Sequence, residues 1–393
     1  MSNSNVSRQA LVDRLRGFAL LGVVVVNAPF LLMSTEGLDP TSLTSTPDLI
    51  AASIVWVLFQ AKAYLIFAFL FGYSLTIFLA SAIRKGLHPK RAYAQRLGAL
   101  FLFGVAHALL LFPGDILVIY AVLGTLLLVL SGRSDRTLRR AAWGFYALQV
   151  VLLAALAAIP ASWLGGGPTA AAVDHQLRTG SFVDTVAAHA ALWPDYLLFV
   201  GLIQGALVAS MFCLGLLAGR HGLLRAVEPR EQTWRRVRAW GIGVGLPLQA
   251  LSGWIALAPG TTEDRVYLGL VVQYLTAPLL AAGLVAAIVL MPRRGLAKAV
   301  EADGQLSLSV YLGESLVLTV LAVGWGGGLL GLSATSTLLV AAGTWLVLLA
   351  AVHVWQSLGL GAGPAERGLR ALTYAGIPTA PHLVRDRVTL PRS

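Results

Sequence analysis

Five polar residues stand inside otherwise apolar runs: Asn27, Lys62, His107, Asp115 and Glu314. Ionisable groups within a membrane span are costly to bury and mark functional sites. His107 and Asp115 flank Pro113-Gly114. A tight turn there sets two antiparallel helices side by side, so imidazole and carboxylate can face one cavity. A carboxylate beside an imidazole fixes its tautomer and raises its basicity, which is the arrangement of a general base. At ~1.5 Å per residue, His107 lies roughly 9 Å below the turn. Asn27, late in its run, and Lys62, opening its own, fall toward the same side of the membrane and could donate to an oxyanion.

Each residue also has a structural reading. His107 can hydrogen-bond across helices, and Asp115 can cap a helix start. Lys62 can snorkel to headgroups, while Glu314, midway along a span, needs a partner or a cavity. His353 reads as structural, and His175 and His189 read as solvated loop residues. Two histidines on one loop are weak evidence for a metal, and no metal site is expected.

The elements that would position these groups are apolar helices. The chain is 57% hydrophobic and 12% charged, with a mean hydropathy of +0.76. Continuous runs rich in Leu, Ala, Val and Gly fit helices and not the short alternating segments of a barrel. The reading is an all-α, polytopic integral membrane bundle of about ten transmembrane helices. The runs are 18–33, 62–83, 97–112, 114–131, 137–160, 193–219, 235–258, 265–291, 304–324 and 332–355. Pro47–Ala61 reads as an interfacial or partly inserted helix leading into the second span. The loop 161–192 opens on Gly165-Gly166-Gly167-Pro168, and Phe182–Ala191 reads as a helix lying on the outer surface. Glycines four apart (Gly201/Gly205, Gly215/Gly219, Gly241/Gly245, Gly324/Gly328) mark close helix contacts.

Charge sets the orientation. With the N-terminus inside, all of the 29 Lys and Arg except Lys62, Arg178 and Arg265 fall in cytoplasmic segments. The outer loops carry mainly acids. That is the positive-inside pattern, with both ends in the cytoplasm. The net charge of +11 therefore needs no nucleic-acid partner. Arg8, Arg14 and Arg16 precede the first run as in a signal peptide, but no small-residue cleavage site follows, so a retained first span is expected. Cys213, the lone cysteine, excludes a disulfide framework and reads as a core residue. No Walker loop, dinucleotide fingerprint, Gly-x-Ser-x-Gly elbow or HExxH is present.

Four blocks carry a family resemblance. They are Arg14-Leu15-Arg16-Gly17 through Asn27, Lys62-Ala63-Tyr64 through Gly72, Arg96 to Tyr120, and Gly304 to Ser315 with Leu308 and Tyr311. Together they resemble the YeiB-like family of bacterial membrane proteins, whose C-terminal region is a domain of unknown function. Ser309-Val310 stands where that pattern has Thr-Asn, and Glu314 where it has Gln. The family is similar to transmembrane acyltransferases that include heparan-alpha-glucosaminide N-acetyltransferase. The resemblance implies one transmembrane domain over 1–375. Within it are an acyltransferase-like half at about 1–160, the outer loop 161–192 and a YeiB-like region at about 193–375; a cytoplasmic tail, 376–393, follows. It also implies a multi-pass protein of the bacterial cytoplasmic membrane. Asn27 matches an Asn that acts in the lysosomal relative. The His that follows in that relative has no match here, and His107 would serve instead.

The expected activity is transfer of an acyl group to a hydroxyl or amine on a small-molecule or glycan acceptor. Acyl-CoA would be the donor, with no bound cofactor. His107 would be the base, Asp115 its orienter, and Asn27 or Lys62 the oxyanion donor. Arg14, Arg16 and Arg96 would meet the donor's phosphates. Tyr120, Tyr311, Ser315, Glu314 and Lys62 are the remaining candidate substrate contacts. The competing reading is a transporter of a small polar or amphipathic solute, with Lys62, Glu314 and the His107–Asp115 pair as a proton-coupled site. A scaffold is a third reading. The bilayer is the expected surrounding, and self-association into a homo-oligomer is open.

Overall fold

The computed structural model describes residues 3–157, 170–225 and 227–376, and every regular element among them is a helix. The Gly165-Gly166-Gly167-Pro168 stretch and the tail from residue 377 lie outside the described residues.

Among the described residues, seven helical stretches are long and apolar enough to cross a membrane. The first is most of α1 (Asn3–Leu32). The second runs from α2 (Thr46–Ile54) through a π-helical turn (Val55–Phe59) into α3 (Lys62–Arg84), and the third is α4 (Pro89–Leu110). The fourth joins α8 (Phe182–Val200) to α9 (Ala206–Arg220). The others are α10 (Glu231–Gly243) with α11 (Gly245–Leu257), α12 (Glu263–Leu290) and α15 (Ala334–Ser357). An eighth is the pair α13 (Leu296–Gln305) and α14 (Ser307–Ala322), bent by 92° at Leu306. The expected total of about ten counted two more. One is α5 (Leu117–Leu130), apolar but only 14 residues long. The other is α6 (Asp135–Ala157), whose first two turns carry Arg136, Arg139 and Arg140. Two helices lie outside these stretches, α7 (Ala170–Thr179) and α16 (Pro364–Tyr374).

Several local expectations are corrected. Phe182–Ala191 is not a surface helix. A capping box on Ser181 starts α8 there, and Thr185, Ala188 and His189 are buried against the bundle. His189 is accordingly a core residue, 2% exposed, with Nδ1 3.2 Å from the Leu109 carbonyl oxygen. The apolar run expected to begin at Gly304 breaks instead at Leu306. Glu366 of α16 accepts the Leu308 and Ser309 amides and the Ser309 hydroxyl, which caps α14 at the break. Pro47–Ala61 is helical as expected, but ends on Ala61 in a left-handed backbone conformation (φ 68°).

Helix packing in lipid gains nothing from hydrophobic transfer, so backbones must approach closely. α3 and α9 make one such close contact. A Cβ on Gly215 would stand 2.0 Å from the Phe69 carbonyl oxygen, and one on Gly72 would stand 2.1 Å from that of Phe212. Gly241 meets Gly283 of α12 in the same way. Gly201 and Gly205, by contrast, have no neighbour within 4 Å and delimit a second π-helical turn. Cys213 is buried in α9.

The two ends of the bundle differ. At one, Arg14 binds Glu301 and the Met291 carbonyl, and Arg220 binds Asp135 and the Arg133 carbonyl. Lys85 lies over the Tyr374 ring. At the other, Asp174 accepts the Thr35 amide and Asp48 accepts from Thr335. These are a basic end and a neutral-to-acidic end.

Candidate active site

The core of the site is assembled by the turn between α4 and α5. Gly104, one turn before His107, lets α4 approach the start of α5. A Cβ there would sit 2.7 Å from both Asp115 Oδ2 and the Val118 nitrogen. Asp115 then does two things at once. Its Oδ2 accepts the Val118 amide at 2.8 Å, capping α5, and its Oδ1 lies 2.8 Å from His107 Nδ1. With Asp115 ionised, Nδ1 carries the proton and Nε2 is left as the free base. His107 Nε2 is buried and has no hydrogen-bond partner among the described residues. Both side chains are fully shielded, at 0% exposure.

Tyr311 of α14 completes the cluster from far along the chain. Its hydroxyl is 3.4 Å from Asp115 Oδ1, and its ring centroid is 4.8 Å from that of His107. About two turns further along α14, Thr319 donates to the Leu111 carbonyl at 2.6 Å. That bond pins α14 to the end of α4.

Two cavities meet beside this cluster. The larger, about 580 Å³, lies toward the basic end and is lined by Arg16, Arg96, Arg370, Tyr93 and Tyr120 among others. Arg16 is held there by Asp13 and by the Ser74 hydroxyl (2.6 Å), and Arg96 lies over the Phe78 ring. The smaller, about 90 Å³, lies on the other side and is lined by Asn27, Gln204, Tyr196 and mostly apolar side chains. Val23, Tyr64, Ile116 and Tyr311 line both, so these four form the wall between them. His107 and Asp115 line neither, and Tyr311 is what connects them to both spaces.

The sequence candidates therefore divide. His107, Asp115 and Tyr311 are brought together. Arg16, Arg96 and Tyr120 line the large cavity and Asn27 the small one. Lys62, Glu314 and Ser315 are buried but line neither. Lys62 does not snorkel. Its amino group donates to the Trp56 carbonyl at 2.9 Å and to Gln249 Oε1 at 2.6 Å, and Gln273 also donates to that carbonyl. These bonds satisfy a backbone oxygen that the π-helical turn leaves free. Both Glu314 oxygens are buried without a hydrogen-bond partner among the described residues, as are those of Asp303. No group of three or more His, Cys, Asp or Glu among the described residues is arranged to hold a metal ion.

Tyr64 and Arg370 were missed by the sequence reading. Tyr64 sits in the block that opens at Lys62, but a tyrosine in an apolar run reads as packing. Arg370 lies on α16, a strongly amphipathic helix at the basic end that reads as an interfacial element.

Comparison with known proteins finds two regions of family similarity. Residues 8–173 match the family described as "Heparan-alpha-glucosaminide N-acetyltransferase, catalytic". Residues 218–376 match "Protein of unknown function (DUF418)". The chain is 27% identical to "Uncharacterized protein YxaH" of Bacillus subtilis, over 93% of this chain and 94% of that protein. It is 26% identical to "Uncharacterized protein YeiB" of Escherichia coli, over 80% of this chain and 84% of that protein. A third relative, an uncharacterized 39.9 kDa protein of Bacillus acidopullulyticus, is 36% identical over 31% of this chain and 33% of its own length. The two regions in this order, with relatives similar over 80–93% of the chain, support a likeness to the YeiB-like membrane proteins, with an acyltransferase-like first half.

Proposed function

We propose that this protein is a multi-pass enzyme of the bacterial cytoplasmic membrane that transfers a short acyl group from acyl-CoA to a hydroxyl or amine presented from the other side. The observation that carries this reading is the His107–Asp115–Tyr311 cluster at the wall between two cavities, one of which holds three arginines. By the positive-inside rule the basic end faces the cytoplasm, where acyl-CoA is found. Arg16, Arg96 and Arg370 suit its phosphates, and the large cavity has room for the pantetheine arm. The match of residues 8–173 to an N-acetyltransferase catalytic family supports the same chemistry.

In the reaction, the acceptor oxygen or nitrogen bonds to the thioester carbonyl carbon and the carbon–sulfur bond breaks. The acceptor's proton passes by way of Tyr311 to the Asp115–His107 pair and ends on the departing thiolate. Asn27, in the small cavity, orients the acceptor. The test uses purified protein in detergent with acetyl-CoA, following release of free CoA, with wild type beside His107→Ala. Saturable binding and His107-dependent release support the enzyme. Absence of acyl-CoA binding by the wild type overturns it.

One observation favours the transport reading. Asp303 and Glu314, two buried carboxyl groups without hydrogen-bond partners, lie on the two arms of the broken helix. Broken helices with ionisable groups form ion-coupled sites in transporters. Net solute flux in proteoliposomes, lost in Glu314→Gln, would decide for it.

A further inference from the structure

Tyr64 carries a feature that the proton path does not use. The residue is 8% exposed, and its hydroxyl is buried with no hydrogen-bond partner among the described residues. A buried, unsatisfied donor costs about 1–3 kcal/mol, so natural folds keep few of them without a reason. The ring is not loosely placed. Its own backbone carbonyl accepts the Tyr120 hydroxyl at 2.7 Å, and the next residues of α3 run into the tight contact with α9. The residue lines both cavities, as Tyr311 does.

The two tyrosines of this wall differ in what their hydroxyls are free to do. That of Tyr311 already faces Asp115 Oδ1. That of Tyr64 has nothing to donate to within the protein. Of the two oxyanion donors expected from the sequence, Lys62 spends its hydrogen bonds on Trp56 and Gln249 and reaches neither cavity, and Asn27 lines only the small one. A substrate spanning the wall must pass Tyr64, and an acceptor atom on that substrate would satisfy its hydroxyl.

We infer that Tyr64 is a catalytic residue whose hydroxyl donates a hydrogen bond to the carbonyl oxygen of the transferred acyl group, and holds the negative charge that develops there. The inference rests on the acyltransferase reading and adds to it the group that stabilises the tetrahedral intermediate. As the acceptor bonds to the carbonyl carbon, the oxygen gains the electron pair of the C=O bond. That pair returns when the carbon–sulfur bond breaks, and Tyr64 keeps its proton throughout. A donor already in place contributes more to the rate than to substrate binding.

The test compares wild type with Tyr64→Phe, which keeps the ring and removes only the hydroxyl. With acetyl-CoA as donor and water as acceptor, kcat for CoA release should fall about 100-fold or more in Tyr64→Phe, with KM changed by less than about threefold. A second measurement separates contact from packing. Wild type should bind acetonyl-CoA, which keeps the carbonyl, more tightly than ethyl-CoA, which lacks it, and Tyr64→Phe should lose that difference. If wild type turns over while Tyr64→Phe matches it in kcat and analogue preference, the assignment of Tyr64 is overturned and the enzyme reading stands. If wild type neither binds nor cleaves acetyl-CoA, the enzyme reading fails and the role of Tyr64 falls with it.

Discussion

Asp115 serves His107 and Val118 with different oxygens of one carboxylate, Oδ1 to the imidazole and Oδ2 to the amide that opens α5. Base orientation and helix capping are therefore separable by substitution. Asp115→Asn keeps an oxygen for the amide but cannot stabilise an imidazolium. It should fold like wild type and lose about 100-fold or more in CoA release. Asp115→Ala should lose the same activity and, in addition, about 1 kcal/mol of stability from the missing cap. Kinetics and a melting curve on the two variants check both halves of this expectation.

The large cavity makes an ionic prediction. Arg370 and Arg96 line it at the basic end, and neither forms an ion pair among the described residues. Substituting either by Ala should raise KM for acetyl-CoA several-fold with little change in kcat. The effect should shrink with dephospho-CoA thioesters, which lack one of the charged groups. An unchanged KM in both variants would place the donor elsewhere.

The helix contacts predict which small residues tolerate a methyl group. Gly215→Ala would drive a carbon into the Phe69 carbonyl, whereas Gly144 has nothing within 4 Å. Gly215→Ala should give a protein that elutes as aggregate or melts well below wild type, and Gly144→Ala should be indistinguishable from wild type by size-exclusion profile and thermal melt.

Acid should loosen one contact at the basic end. Hydrogen bonds from Arg220 first, and then from His221, lower the Asp135 carboxyl below its ordinary range. A lowered folded-state pKa means that the carboxylate favours the folded state above its unfolded pKa of about 3.9, and that this contribution fades as pH falls below it. The pair is solvent-exposed, so the effect is small. Asp135→Asn should flatten the pH dependence of the melting temperature between about pH 5 and 3 without altering stability at neutral pH by much.

Much of this was legible in the sequence, and for physical reasons. Apolar runs report helices directly, because only helices and closed barrels satisfy the backbone in lipid. The His107–Asp115 contact was legible because a Pro-Gly turn fixes the geometry of residues on either side of it. Glu314 was legible as buried but not as unpaired, since a partner on another helix leaves no local trace. Tyr311 illustrates the limit most clearly. It was read as a substrate contact, but its contact with Asp115 spans 196 residues of chain, and no spacing rule reaches that far. The π-helical turns at 55–59 and 201–205, and the bend at Leu306, were hidden for another reason. A Leu- and Val-rich run has the same composition whether its helix is regular or broken. His189 was misplaced because an amphipathic helix start reads alike on a membrane surface and against a protein core.

The contacts of α1 have a consequence for the order of synthesis. Arg14 closes onto Glu301 across 287 residues, and α1 lies against α13, α14 and α15. α1 thus waits in the bilayer for partners that leave the ribosome much later. Until α14 inserts, the imidazole of His107 has no tyrosine beside it and the wall between the two cavities lacks a side. A chain stalled or truncated before that point holds the His107–Asp115 pair but no compartment beside it. Insertion of α14 is itself the step that completes the site.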